Sequence, residues 1–229
     1  MKSLWLLLCL LGAVSIAVIA QSNSAQNPVE IKGEPRHHPK FENEFLRVWD
    51  MTVPPGDATL WHAHRNDNVV VTLADAKLHI ETVGRDPVDA DWKFGEVRFS
   101  KATYVHRAMN VGGTSFHNLT IELLKPSGVA VDLASLPKTA REPILDNDRV
   151  RVYRVSLAPG EQTPMHTHPW PGLAVAVTGG DLEVIARDRR EPERLLLQAS
   201  DVRWRAGAVT HSLKNVGKSP IEGIDIELK

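Results

Sequence analysis

The chain has 229 residues, 42% hydrophobic and 24% charged, a composition that supports a globular core and excludes a disordered, collagenous or multi-span membrane chain. Lys and Arg number 27 against 28 Asp and Glu, a formal net charge of -1, so no global field recruits nucleic acid or anionic lipid. The single cysteine, Cys9, lies in an apolar N-terminal run, which leaves the rest of the chain without disulfides, thiolate metal ligands or a cysteine nucleophile.

Met1-Lys2-Ser3 leads into the apolar run Leu4 to Ala20, and no charge follows Lys2 until Glu30. This is the layout of a secretory signal peptide, with cleavage expected after Ala20 or, alternatively, Ala25, and with export to the periplasm or the exterior as the consequence. A retained anchor is the competing reading, because the run lies at the lower edge of a membrane span. Residues 21–40 are polar and Pro-punctuated and read as a linker or surface arm, to which His37 and His38 are assigned.

Past residue 40 the chain repeats itself. Arg47 to Gly56, followed by five residues and His62-Ala63-His64, returns as Arg151 to Gly160, five residues and His166-Thr167-His168, at an offset of 104. His106 and Asn110 answer to His211 and Asn215, and Thr120 to Leu123 answer to Asp225 to Leu228, at an offset of 105. Two copies of one unit follow, over about 41–125 and 144–229, with 126–143 as connector. Each copy is small for independent stability, which predicts an interface between them. Within a copy the apolar period is two: Val69 to Leu73, Lys77 to Glu81, Leu119 to Leu123 and their partners are short, β-branched-rich and bounded by Gly, Asp or Pro. Long amphipathic helices are absent, so the reading is all-β, two sandwiches or barrels.

Six of the ten histidines occupy three matched positions: His62/His166, His64/His168 and His106/His211. In a strand, residues i and i+2 face one side, so each His-x-His puts two imidazoles on one face, and a third from another strand completes a set for a divalent ion. Neutral imidazole suits zinc, copper, iron and nickel. Histidines satisfied by hydrogen bonds in a half-buried sheet are the bland alternative for a single pair; the duplicated triple favours metal binding.

These residues resemble the cupin superfamily. Gly56-x5-His62-x-His64 and Gly160-x5-His166-x-His168 look like its first motif, and Gly95, His106 and Asn110 like its second. In the second copy His211 and Asn215 fit, while Ser200 replaces the first glycine and Gly207 is offset by one. The resemblance implies a bicupin, two tandem jelly-roll barrels, and a divalent metal ion whose identity (iron, manganese, zinc, copper or nickel) stays open. The motif's glutamate is replaced by Asn68 and Gly172, which puts manganese oxalate chemistry in doubt and leaves the ion ligated by neutral nitrogens alone. Such three-His cupins include dioxygenases of aromatic or β-diketone substrates, so the resemblance implies dioxygenase-like oxidation or C–C cleavage of a small anionic or enolisable molecule. A non-catalytic module that binds a ligand or metal, and a cupin isomerase or lyase, are the alternatives. Pairing of exposed sheet faces into a homodimer is a further expectation from the family.

Strand parity selects the pocket neighbours. Tyr104 shares the face of His106 and is the candidate acid/base or orienting residue, with a packed aromatic as the alternative; its counterpart Val209 has no such chemistry. Asn68 and His117 are candidates to support the centre from behind, although His117 reads first as a solvated strand end and only second as a supporting group. Trp61 faces away from the ligands, and Trp170 is read as a cap on the second pocket or, preferably, an interdomain contact. No dinucleotide fingerprint, P-loop, nucleophile elbow or basic aromatic stripe is present, so nucleotide cofactors, serine hydrolysis and nucleic-acid partners are not expected, nor a membrane once the leader is removed.

Overall fold

A computed structural model describes residues 24–132 and 142–229. The expected signal peptide and part of the connector lie outside the described residues. Among these residues there is no α-helix, only a 3-10 turn at Ile31–Gly33, and no helix long and apolar enough to cross a membrane. The strands that build the sites are β1 (Val29–Glu30), β2 (His37–Glu42), β3 (Leu46–Val53), β4 (His62–His64), β5 (Asn68–Thr72), β6 (Ala76–Thr82), β7 (Val88–Trp92), β8 (Val97–Ser100), β9 (Tyr104–Asn110) and β10 (Phe116–Leu123). They form two five-stranded sheets, β1-β4-β9-β6-β7 and β2-β3-β10-β5-β8. The second copy repeats the plan with β11 (Leu145–Asp146), β12 (Val150–Leu157), β13 (His166–His168), β14 (Gly172–Ala176), β15 (Gly180–Ala186), β16 (Glu193–Leu197), β17 (Val202–Arg205), β18 (Val209–Asn215) and β19 (Ile221–Leu228). Its sheets run β11-β12-β19-β14-β17 and β13-β18-β15-β16.

The period of two decides what each face does. On β10, Leu119, Ile121 and Leu123 point out of the first barrel and join Leu46, Val48, Val69 and Val71 in one apolar cluster with Val150, Val152, Leu173, Ile224, Ile226 and Leu228 of the second. The barrels therefore stack sheet on sheet, and neither copy closes its core alone. The alternate residues of β10 point inward, where Phe116 packs with Met51, Val53, Leu78 and Trp92, while Asn118 and Thr120 line a cavity. Ile226 is fully buried in the shared cluster, so Ile226→Ala is expected to cost about 2–5 kcal/mol. Both barrels should then unfold in one transition at lower denaturant; two separated transitions in urea, read by fluorescence and circular dichroism, would contradict a common core.

The repeated Pro-Gly pairs are turns. Asp57 N–H donates to the Pro54 carbonyl and Glu161 N–H to that of Ala158, and Gly56 and Gly160 take φ of 76° and 79°, which only glycine adopts freely in a turn led by proline. The matched asparagines fasten these turns. Asn110 Nδ2 donates to the Val53 and Thr114 carbonyls while its Oδ1 accepts Gly112 N–H, and Asn215 does the same with Leu157, Ser219 and Gly217. The second-motif asparagine is thus a structural clamp.

One expectation is corrected. Residues 29–40, read as part of a surface arm, belong to the first barrel: β1 lies parallel to β4 with Val29 opposite His62, and β2 pairs with β3. His37 is 5% exposed, whereas His38, on the other face of β2, is exposed. Backbone pairing claimed this polar segment, which its proline content had marked as a linker.

Candidate metal centres

In barrel 1, β4 supplies His62 and His64 and its antiparallel neighbour β9 supplies His106 directly opposite His62. The Nε2 atoms of the three are mutually 3.0, 3.1 and 3.2 Å apart. His62 Nδ1 lies 2.8 Å from the Leu60 carbonyl; a carbonyl only accepts, so Nδ1 carries the proton and Nε2 presents a bare lone pair. Burial pushes the His62 imidazole down to about 4, aided by neighbouring His37. Burial also holds His64 and His106 well below the usual histidine range, with the other imidazoles adding to it. Three neutral rings aiming nitrogens at one point repel each other unless a cation sits among them, and that arrangement fits a divalent metal ion.

Barrel 2 repeats the set: His166 and His168 on β13, with His211 opposite His166 on β18. His166 Nδ1 meets the Pro164 carbonyl at 2.8 Å, as His62 meets Leu60, and its Nε2 lies 3.1 Å from that of His168. His211 Nε2 is a buried ring nitrogen with no hydrogen-bond partner, and burial lowers this imidazole to about 3, with His168 and His166 adding to it. In both barrels the three residues can each bring one nitrogen within 4.8 Å of the others. The structure thus brings together all six histidines named from the repeat.

The support behind the two sets differs. His168 Nδ1 donates to Glu227 at 2.9 Å and lies 3.4 Å from Asp225, a carboxylate behind a ligand imidazole that fixes its tautomer and raises its basicity. Asp225 in turn takes both terminal nitrogens of Arg205, at 2.9 and 3.1 Å. The matched Glu122 of barrel 1 turns instead to Trp49 Nε1 at 2.8 Å, and His64 Nδ1 is left without a hydrogen bond. The indole N–H of Trp49 captures the carboxylate; Tyr153, the repeat partner of Trp49, leaves Glu227 to the histidine. The motif's glutamate position departs in both copies. A Cβ on Gly172 would lie 2.5 Å from the Ile226 carbonyl and 2.6 Å from Arg205 Nη2, so the guanidinium fills that volume. Asn68 is fully buried and donates to Tyr104 Oη at 3.0 Å.

Tyr104 stacks on His64, ring centroids 4.7 Å apart at 15°, and burial holds its phenol above the usual tyrosine range. It lines a cavity of about 410 Å³ with the three histidines, Arg85, Arg98 and Lys101. His117 is elsewhere: on the outward face of β10, it pairs with Asp50 at 2.8 Å, toward the interbarrel side. Its expected supporting role at the metal centre is therefore corrected, because strand parity aims it away from His62, His64 and His106. Trp170 donates to the Val129 carbonyl of the connector. The second cavity, about 360 Å³, has His211 beside three arginines, Arg189, Arg203 and Arg205, and five carboxylates, Asp188, Glu193, Asp201, Glu222 and Asp225.

Two features escaped sequence reasoning. Glu122 and Glu227 were visible as matched acids between aliphatic strand residues, a pattern that marks an inward charge. His37 joins the site through Glu34: its Nδ1 lies 2.7 Å from Glu34 Oε2, with both side chains buried, and its ring centroid is 4.9 Å from that of His62. Burial would raise the Glu34 carboxyl, but His37 and the Leu60 amide outweigh it and hold the group below the usual glutamate range. The available signal was Pro39 and Glu42, which answer to Pro143 and Asp146 at the repeat offset.

No family model and no curated protein matches the chain. Among solved structures it resembles AerE from Microcystis aeruginosa, at 13% identity and TM-score 0.56, over 86% of this chain and 98% of that one. It also resembles the oxalate decarboxylase of Bacillus subtilis, which has Mn(II) centres, at 13% identity and TM-score 0.59, over 83% and 74% of the two chains. The oxalate decarboxylase of Lactobacillus farciminis, solved as a formate complex, is similar at 14% identity and TM-score 0.58, over 83% of each chain. The likeness is one of fold: two tandem jelly-roll barrels, each with a histidine cluster able to hold a divalent metal ion, give this chain the bicupin fold.

Proposed function

We propose that the protein is a divalent-metal-dependent cupin enzyme that uses dioxygen to oxidise, or to cleave a C–C bond in, a small anionic or enolisable organic molecule bound in barrel 1. The observation that carries this reading is the lining of the first cavity: four imidazoles, Tyr104, three cations and, among the described residues, no carboxylate. The metal-dependent part is supported by the histidine clusters and by the Mn(II) centres of the Bacillus subtilis oxalate decarboxylase. A bound ion supplies Lewis acidity and, for iron or manganese, redox chemistry with dioxygen.

The chain's own residues select and orient. Arg98 is fixed against Trp92, its guanidinium carbon 4.1 Å from the ring centroid, and pairs with Glu96 at 2.7 Å, so it is a static positive wall. Arg85 and Lys101 are exposed at the mouth and draw anions in. Asn68 donates to the Tyr104 oxygen at 3.0 Å, and its Oδ1 lies 3.5 Å from that oxygen, a long contact that the phenol proton can leave for an oxygen of the substrate; the raised pKa keeps that proton in place at neutral pH.

Oxygen uptake by the iron-loaded protein, screened against small 2-oxo, 2-hydroxy and β-dicarbonyl acids, tests the proposal. An active acid should lose turnover in His106→Ala, and Tyr104→Phe should lower kcat about tenfold, the size of one hydrogen bond, at unchanged metal content. Conversion without oxygen, or no turnover with any of the candidate metals, overturns it. Export is part of the proposal and rests on the leader at residues 1–20; N-terminal sequencing of protein from the exported fraction should begin at Gln21 or Gln26, and an intact Met1 in the cytosol contradicts it.

A further inference from the structure

The first cavity holds a fourth imidazole that no metal role accounts for. His37 lines it beside Thr59 and His62, and its ring lies 6.3 Å from that of His64. It is absent from the set whose nitrogens converge on the metal position, so it is a neighbour of the centre and not a ligand. Its orientation is strongly determined. Glu34 Oε2 takes His37 Nδ1 at 2.7 Å and Arg36 N–H at 2.9 Å, and Glu34 Oε1 takes Leu60 N–H at 3.1 Å. The carboxylate is thus tied to the backbone on both sides of the cavity wall. Since Leu60 gives its carbonyl to His62 Nδ1, one carboxylate holds both His37 and, through the single residue Leu60, the strand entrance to the metal ligands.

A buried carboxylate with an imidazole is costly unless its partners are complete, and this pair is not repeated at the matching positions of the second copy. At the repeat offset the second copy carries Lys138 and Arg141 in place of Glu34 and His37, so the jelly roll does not need the pair. Nδ1 is committed to Glu34, and Nε2 is the ring nitrogen left for a molecule in the cavity, an acceptor in the neutral Nδ1–H tautomer. The other polar groups at the centre do different work: His62, His64 and His106 aim at the ion, Tyr104 donates, and Arg85 and Lys101 attract charge.

We propose that the Glu34–His37 pair is a substrate-recognition element of barrel 1, in which His37 Nε2 accepts a hydrogen bond from a hydroxyl group carried next to the carboxylate of the substrate. Glu34 is the positioning residue that holds the ring's tautomer and direction. The substrate class is accordingly a hydroxy-acid rather than a plain carboxylic acid, and this rests on the reading of the cavity as a small-anion site.

The test is calorimetric titration of the zinc-loaded full-length protein with glycolate, methoxyacetate and acetate, in wild type, His37→Phe and Glu34→Gln. The second barrel's centre is present in every sample and cancels in the comparison. Wild type should prefer glycolate to methoxyacetate, and that preference should shrink about tenfold in His37→Phe and in the same direction in Glu34→Gln, each preference being a ratio taken within one zinc-loaded sample. In parallel, [15N]histidine-labelled wild type should show the His37 Nε2 resonance move with glycolate and stay in place with methoxyacetate, a readout that needs no variant to fold. An unchanged glycolate preference in His37→Phe, or a silent Nε2 resonance in protein that binds glycolate, overturns the role of His37 and leaves the anion site standing. Failure of all three acids to bind wild type removes the anion site itself, and this inference with it.

Discussion

Protein purified from its native compartment and freed of loosely held ions is expected to contain two divalent ions per chain, falling to one in His106→Ala and to one in His211→Ala. Each substitution removes one of three convergent nitrogens from one barrel only, and the centres are built on separate sheets, so their occupancies should vary independently. Two neutral imidazoles are a poor site for most divalent ions at neutral pH, whereas three set face to face hold them firmly. The effect on function should be asymmetric. If the cation-lined first cavity is the reactive one, His106→Ala abolishes turnover, and His211→Ala retains most of it. Elemental analysis of the wild type and both variants checks this; metal content near zero in all of them, not restored by reconstitution, would sink the metalloprotein reading.

The second large effect is on stability in mild acid. His62 is held at about 4 in the folded protein against about 6.5 for a free histidine. The folded state therefore binds fewer protons than the unfolded chain between those values, so stability rises with pH across that window. It is fully present above about 6.5 and is lost as pH falls toward 4; for His62 alone the loss is roughly 3 kcal/mol at 1.36 kcal/mol per pKa unit. His64, His106 and His211 are shifted in the same direction and add to it. The lowered carboxyls, Asp146 and Asp225 among them, work in the same sense but only below the usual carboxylate range, under the histidine window. Urea midpoints of metal-free protein at pH 7.5 and 4.5 measure the effect. Saturating metal should raise stability at neutral pH and lose that advantage in acid, as protons compete for the same nitrogens. A flat midpoint between the two pH values would mean that the imidazoles are solvated in the metal-free state.

The fold and the ligands were legible for different reasons. The period of two along Val69 to Leu73 and Leu119 to Leu123 gives strands, and the recurrence of Gly56-x5-His62-x-His64 at an offset of 104 gives two copies with matched histidines. These are local patterns, and local patterns survive translation into one dimension. Tyr104 was reached by strand parity and Asn68 by its place at the motif's glutamate position, although that the asparagine buttresses the tyrosine came only from the folded chain. His117 shows where parity needs a third dimension: alternation places it opposite Asn118 and Thr120, but which of the two faces lines the cavity depends on the second barrel covering the other.

By itself the sequence determined an all-β duplicated architecture and six candidate metal ligands, because strand alternation and internal repetition are short-range regularities. Only the tertiary structure decided that residues 29–40 close the first barrel, that Glu34 and His37 face its centre, and that Glu227 serves a ligand histidine while Glu122 serves Trp49. Those outcomes depend on partners up to 73 residues apart along the chain, Glu122 and Trp49 the furthest, and a buried carboxylate takes whichever donor the packing of distant strands brings within reach.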